Sequence, residues 1–280
     1  MEHRIFSLDA HTWRIEEYDE TTSVYMYLLE GEREAALIDT GVGMIDLKKI
    51  VQSLTALPLL VLNTHGHFDH TGGNTSFDRV YLHEADKEAY RVHYKMQEQF
   101  PQYTFRTPKG DILSMRDGDS FDLGGRTLEV IHTPGHTIGS VCVLDRERRW
   151  LFTGDTCCKA DVLLNLDYCT TVEEYLGTIR KLQVLQQQYD VTWPAHYAVP
   201  VEPSVLDQFL EAGQMLCEGK ARGERIDTAL GPCERLPFQD IGIVYLPERV
   251  KANRVLIPDA DEKILDTIMQ SYRQRIARES

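Results

Sequence analysis

The stretch VLNTHGHFDHTGGN, Val61 to Asn74, ends an apolar run and then brings His65, His67, Asp69 and His70 together before Gly72 and Gly73 turn the chain. A packed core has no use for three imidazoles and a carboxylate in so short a loop, because every buried polar group must find a partner. A divalent cation satisfies such groups together, so the stretch reads as a metal-binding loop.

Upstream of it, Val24 to Leu29 and Ala35 to Asp39 are short and β-rich, and the charged turn Glu30-Gly31-Glu32-Arg33 between them makes a hairpin. From Met44 to Leu57 apolar residues recur at helical spacing (Ile45, Leu47, Ile50, Val51, Leu54), until Pro58 stops the pattern before a strand over Leu59 to Leu62. Downstream, Arg79 to Leu82 reads as a strand and Glu84 to Phe100 as a helix ended by Pro101. Tyr94, Met96, Phe100, Tyr103 and Phe105 there either wall a pocket or serve packing.

Strands then dominate, over Ser120 to Asp122, Thr127 to His132, Ser140 to Asp145 and Trp150 to Phe152. Two of them run into polar loops, Thr133-Pro134-Gly135-His136 and Thr153-Gly154-Asp155. Thr171 caps a helix with Leu176, Ile179, Leu182 and Leu185 on one face, and the strand Val191 to Trp193 leads into Pro194-Ala195-His196. A helix over Val205 to Glu218, a strand over Ile241 to Leu246 and a terminal helix over Glu262 to Ala277 complete the pattern, with no repeat and no low-complexity linker. The expected architecture is α+β: two mixed sheets flanked by helices in a single domain over residues 1–280, with 200–280 as a C-terminal extension packing on it.

Apolar residues make up 42% of the 280, enough for a large core. Lys and Arg number 30 against 44 Asp and Glu, and the formal charge of −14 repels phosphate backbones and anionic membranes. No nucleic-acid or membrane partner is therefore expected; a small-molecule substrate and a possible homodimer are. Charged residues such as Arg4, Asp9 and Glu16 break the first 25 positions, leaving no signal-peptide core, so the chain reads as cytoplasmic. The six cysteines lack a CxxC pair and are expected to stay unbridged.

Collected, His65, His67, Asp69, His70, His136, Asp155 and His196 all follow predicted strands. One zinc takes about four ligands. Seven candidates thus imply two divalent ions sharing a ligand, with Asp155 as the sharer because a carboxylate has two oxygens. The nitrogen-rich set suits Zn2+, with Fe or Mn possible. His3, His11, His83, His93 and His132 lack partners at metal spacing and read as structural, and Cys157 and Cys158 read as buried thiols.

THGHFDH, then TPGHT, FTGDT and PAHY, together with the LIDTG strand at Leu37 to Gly41, resemble the metallo-β-lactamase-fold superfamily, in particular its glyoxalase II and lactonase-like branches. The match runs from about Thr22 to His196. It implies an αββα sandwich with metals at the sheet edge, His65, His67 and His136 at one ion, Asp69, His70 and His196 at the other, and Asp155 at both. It also implies a metal-dependent hydrolase in which a hydroxide bound by two metals attacks an ester, lactone, thioester or amide of a small molecule. Under the resemblance Asp69 is also a catalytic proton carrier, beside the plainer reading as a ligand only, and Asp39 either orients the site or caps its own turn. Tyr103, Tyr168 and Tyr197 are candidate oxyanion donors. The alternatives are a mononuclear iron dioxygenase of the persulfide type, a phosphodiesterase, and a non-catalytic metal-binding module of the same fold.

Overall fold

The computed structural model describes residues 1–20, 22–96, 112–228 and 231–251. Strands β1 (Glu2–Asp9), β2 (Thr12–Tyr18), β3 (Ser23–Glu30) and β4 (Ala35–Ile38) form an antiparallel meander. After helix α1 (Leu47–Leu54), β5 (Leu59–Leu62) joins β4 in parallel; after the single turn α2 (Phe68–Thr71), β6 (Val80–His83) follows, and after α3 (Lys87–Met96), β7 (Leu113–Met115). The result is a seven-stranded mixed sheet in sequential order.

Strands β8 (Ser120–Asp122), β9 (Thr127–His132), β10 (Val141–Asp145) and β11 (Trp150–Gly154) build a second sheet. The chain then passes through β12 (Asp161–Leu164) and α4 (Val172–Val184) before β13 (Val191–Pro194) closes that sheet parallel to β11, in the order β13-β11-β10-β9-β8. Helix α5 (Val205–Cys217) follows. Strands β14 (Glu224–Thr228), β15 (Gly231–Phe238) and β16 (Ile241–Tyr245) then recruit β12 into a third, four-stranded sheet, which the sequence reading did not include.

The sandwich follows from how side chains alternate along strands buried on both faces. On β3, Tyr27 and Leu29 point at the second sheet and meet Leu128, Val130, Val143 and Phe152. Met26 and Leu28 on the same strand point outward, to Leu47, Ile50 and Val51 of α1. The far face of the second sheet, with Ile131, Cys142 and Leu144, packs on Tyr175, Ile179 and Leu182 of α4 and on Phe209 of α5, while Ile243 and Tyr245 of the third sheet extend the same core. Two sheets lie face to face with helices outside, as expected.

Helix α4 starts where the sequence placed it. Thr171 Oγ1 accepts from Glu174 N at 3.2 Å, and Glu174 Oε2 accepts from Thr171 N at 3.0 Å, a complete capping box. Thr171→Ala is expected to cost about 1 kcal/mol, read as a lower urea midpoint with an unchanged slope.

All six cysteines are free. No helix of the described residues is long and apolar enough to cross a membrane. The side chains of Tyr94 and Met96, the residues Phe100, Tyr103 and Phe105, and the helix expected over Glu262 to Ala277 lie outside the described residues.

Candidate metal centre

Each predicted ligand loop leaves the carboxyl end of a strand: His65 after β5, His136 after β9, Asp155 after β11 and His196 after β13. Strands β9 and β11 both run antiparallel to β10, and β13 runs with β11, so three of these ends open on one edge of the second sheet. Backbone bonds from Val141 N to Thr64 O (2.8 Å) and from Tyr25 N to Ala195 O (2.8 Å) bring the first sheet's loop to the same edge.

Local geometry then aims the side chains. His67 occupies the N-cap of α2, which puts Asp69 in its first turn and His70 behind it. The carbonyl of His70 accepts from Thr40 N (2.8 Å) and from Asn63 Nδ2 (3.0 Å), and Asn74 closes the ring by bonding Asn63 and Thr40. Sequence reasoning missed this brace, although Thr40 and Asn74 stand inside the motifs it used.

The seven predicted residues come together. His65, His67 and His136 offer nitrogens within 4.8 Å of one another, and the nitrogens and carboxylate oxygens of two further sets, His65, His70 and Asp155, and Asp69, His70 and His196, lie equally close. Asp155 lies between the halves: Oδ2 is 3.5 Å from His136 Nε2, while Oδ1 is 3.5 Å from His70 Nε2 and 3.6 Å from His196 Nε2.

The outer ring nitrogens of His70, His136 and His196 are occupied. His136 Nδ1 donates to the carbonyl of Leu163 at 2.9 Å and His196 Nδ1 to that of Ser23 at 2.6 Å. A carbonyl only accepts, so in the neutral rings the proton sits on Nδ1 and Nε2 turns a lone pair inward. His136 Nε2 nevertheless lies 2.9 Å from His67 Nδ1, and His196 Nε2 lies 3.4 Å from His70 Nε2. His70 Nδ1 is committed to Asp39, so in the neutral rings lone pair meets lone pair at His196 and His70, and each of the two contacts calls for a proton or a cation between its nitrogens. His65 Nε2 and Asp155 Oδ1 are buried and accept no hydrogen bond from the described residues. The residues therefore fit divalent cations, which could be held by nitrogens and carboxylate oxygens already oriented.

Electrostatics agree with that geometry. Burial, aided by His70 and His136, holds His65 well below the ordinary histidine pKa. Burial also opposes the His70 cation, but Asp155, Asp69 and Asp39 outweigh it and raise His70 well above the usual value. For Asp69 and Asp155 the same burial disfavours ionisation, yet the neighbouring histidines keep both carboxyls below the usual range.

Asp39 is the residue behind two of the imidazoles. Its carboxylate accepts from His70 Nδ1 (2.8 Å), Thr64 Oγ1 (2.8 Å) and Thr64 N (2.7 Å), and Thr64 Oγ1 is 3.1 Å from His65 Nδ1. It does so from a left-handed backbone, φ +60°, which Asn also tolerates. Asp39→Asn should thus keep the fold but leave those donors short of acceptors. About 10- to 100-fold weaker metal binding is expected, measured by chelator competition with circular dichroism as the fold control.

Other candidates lie apart. His11 pairs with Glu30 at 3.2 Å, and His83 stacks on His132 with centroids 4.1 Å apart; the side chain of His93 is outside the described residues. Burial pushes the Cys158 thiol up to about 12 and Cys157 well above its usual value, so both are neutral packing groups in the metal-free chain. Tyr168 and Tyr197 both have φ +65°, and Tyr197 is 61% exposed.

The comparisons with known proteins agree with this fold. The model of the metallo-beta-lactamase superfamily matches residues 20–195. The acyl-coenzyme A thioesterase MBLAC2 of Homo sapiens is 32% identical over 197 residues, 59% of this chain and 69% of that protein. The atrochrysone carboxyl ACP thioesterase of Aspergillus fumigatus is 30% identical over 208 residues, 71% of this chain and 56% of that protein. Among solved structures, a metallo-beta-lactamase family protein from Thermus thermophilus superposes with a TM-score of 0.62 at 23% identity, covering 76% of this chain and 82% of that one. With more than half of its length matched by one family model, this chain belongs to the metallo-beta-lactamase superfamily.

Proposed function

We propose that this hydrolase cleaves thioesters of small acyl groups carried on coenzyme A or a carrier protein, using two divalent ions held by His65, His67, Asp69, His70, His136, Asp155 and His196. The observation that carries the metal reading is the inward convergence of lone pairs from His136 and His196, whose outer nitrogens are committed to backbone carbonyls. The choice of thioester rests on relatives named as thioesterases. Zn2+ suits the donor set best, with Fe or Mn as the alternatives. When bound, such ions supply a Lewis acid for the carbonyl and lower the pKa of water.

The chain's own groups do the rest. Asp69, 26% exposed at its side chain, meets both His196 and solvent, and is placed to take a proton released when water adds to the carbonyl. The C–O bond forms first, the C–S bond breaks as the carbonyl re-forms, and the proton goes to the departing thiolate, giving acid and free thiol. The overall negative charge, −14, leaves recognition of an anionic carrier to local groups at the site mouth rather than to long-range attraction.

The test is metal analysis of the purified protein followed by a substrate panel. Acyl-coenzyme A hydrolysis, read by thiol release, should exceed the turnover of lactone, phosphodiester and cephalosporin substrates and should stop with chelator. Faster lactone or phosphodiester turnover would transfer the assignment to those classes, and oxygen uptake with a persulfide would favour the dioxygenase.

A further inference from the structure

We infer that Asp86 is a positioning residue that clamps the two histidine loops together across the seam between the sheets. This rests on the metal-site reading above. Asp86 ends a turn of 3-10 helix, Glu84–Asp86, between β6 and α3, and it is completely buried. Its Oδ2 accepts from Gly66 N and from Thr137 Oγ1, both at 2.7 Å, and its Oδ1 accepts from Gly139 N at 2.8 Å. Gly66 is the residue between His65 and His67, and Thr137 follows His136. One carboxylate therefore holds the loop after β5 of the first sheet and the loop after β9 of the second.

The sequence around it is shaped to allow that approach. A Cβ at Gly139 would stand 2.6 Å from Asp86 Cβ, and one at Gly66 would stand 2.9 Å from the Asp86 carbonyl and 2.8 Å from Tyr90 N. Glycine is needed at both places because backbone, not side chain, packs against Asp86. Hydrogen bonds to an ionised acceptor are the stronger kind, and here all three end on backbone or hydroxyl donors of the ligand loops. The imidazoles that these loops carry, His67 and His136, meet at 2.9 Å. A second link across the seam, Val141 N to Thr64 O at 2.8 Å, does not involve Asp86, so the loops keep a tether without it.

The experiment titrates metal-free protein with Zn2+ against a chromophoric chelator, for the wild type, Asp86→Asn and His136→Ala. Asn has one acceptor oxygen in place of two and turns an NH2 towards a donor, so either the bond from Gly139 N or those from Gly66 N and Thr137 Oγ1 are lost. The wild type should take up two ions. Asp86→Asn should weaken one of the two steps by about 10- to 100-fold, the same step that His136→Ala removes, and leave the other within about threefold. Unchanged steps, or both steps weakened alike alongside a lower melting temperature, would overturn the clamp and leave Asp86 a structural residue. If the wild type takes up no ion, the metal-site reading itself fails and the clamp with it. Should Asp86→Asn not fold, Thr137→Val is read instead: it removes one donor at nearly constant shape, a several-fold loss at that step is expected, and no loss refutes the inference.

Discussion

Asp155→Ala is expected to lower hydrolysis on the order of a thousandfold and to reduce bound metal, while the chain stays folded. The reason is its placement between the halves, with Oδ2 on the side of His136 and Oδ1 on the side of His70 and His196. Among the predicted carboxylates, Asp155 is the one whose two oxygens are directed to different halves. His67→Ala removes a donor from the His65 and His136 set alone, and should cost metal there first. A variant that kept two ions and full turnover would refute the site assignment.

The same substitution has a pH signature in the metal-free protein. His70 and His196 have pKa values raised above the histidine reference of 6.5: burial opposes the charge, and Asp155 heads the carboxylates that outweigh it. Their contribution to stability is fully present below that reference and is lost as pH rises through the raised folded values. Asp155 itself is held below its reference of 3.8, so its contribution is present above that value and lost as pH falls through the depressed one. The destabilisation caused by Asp155→Ala should therefore be greatest between about pH 4 and 7 and shrink on the alkaline side. Urea melts of wild type and variant at several pH values, with chelator present, measure it.

These effects concentrate on residues that stand out in the sequence itself. Histidines and aspartates just past apolar strands have few structural uses, which is why the loops at His65, His136, Asp155 and His196 are conspicuous. The strands themselves are legible where both faces are buried, as in β3 and β5, because apolar runs bounded by turns leave little choice. Strand β1 escapes for the opposite reason: most of EHRIFSLD is exposed, and charged and apolar residues share both faces. In the third sheet β14 is largely polar and β15 contains Pro232 and Pro237, so neither shows the pattern of a buried strand. That omission also hides the Leu163 carbonyl of β12, which fixes the His136 ring. Asp86 is concealed inside a helical pattern, since nothing local distinguishes a carboxylate that receives bonds from residues 20 and 53 positions away.

The largest stability loss is expected at the opposite edge, from Arg126→Met. Arg126 is 1% exposed, and its Nε and Nη2 bond Asp145 Oδ2 at 2.8 and 2.5 Å. Its Nη1 reaches the carbonyls of His11 at 2.9 Å and Glu30 at 3.3 Å, so the side chain ties the β1–β2 turn and the end of β3 to the end of β10. Because β10 runs antiparallel to β9, Asp145 lies at the far end from His136. Burial lowers the Arg126 pKa even with Asp145 beside it, which marks how much desolvation the pair carries. Met fills most of the space but leaves the Asp145 carboxylate buried, with Arg148 Nε 4.0 Å away as its nearest remaining cation among the described residues, and strips two carbonyls of a donor. A loss of about 3–5 kcal/mol follows. Pairing Arg126→Met with Asp145→Leu removes the stranded charge and should recover part of that loss, whereas Arg126→Lys, with a point charge in place of a planar fork, should not match the wild type. Metal stoichiometry should be unchanged in every variant that folds, since no ligand touches this pair. A double variant no more stable than Arg126→Met would mean that packing, rather than the uncompensated carboxylate, sets the cost.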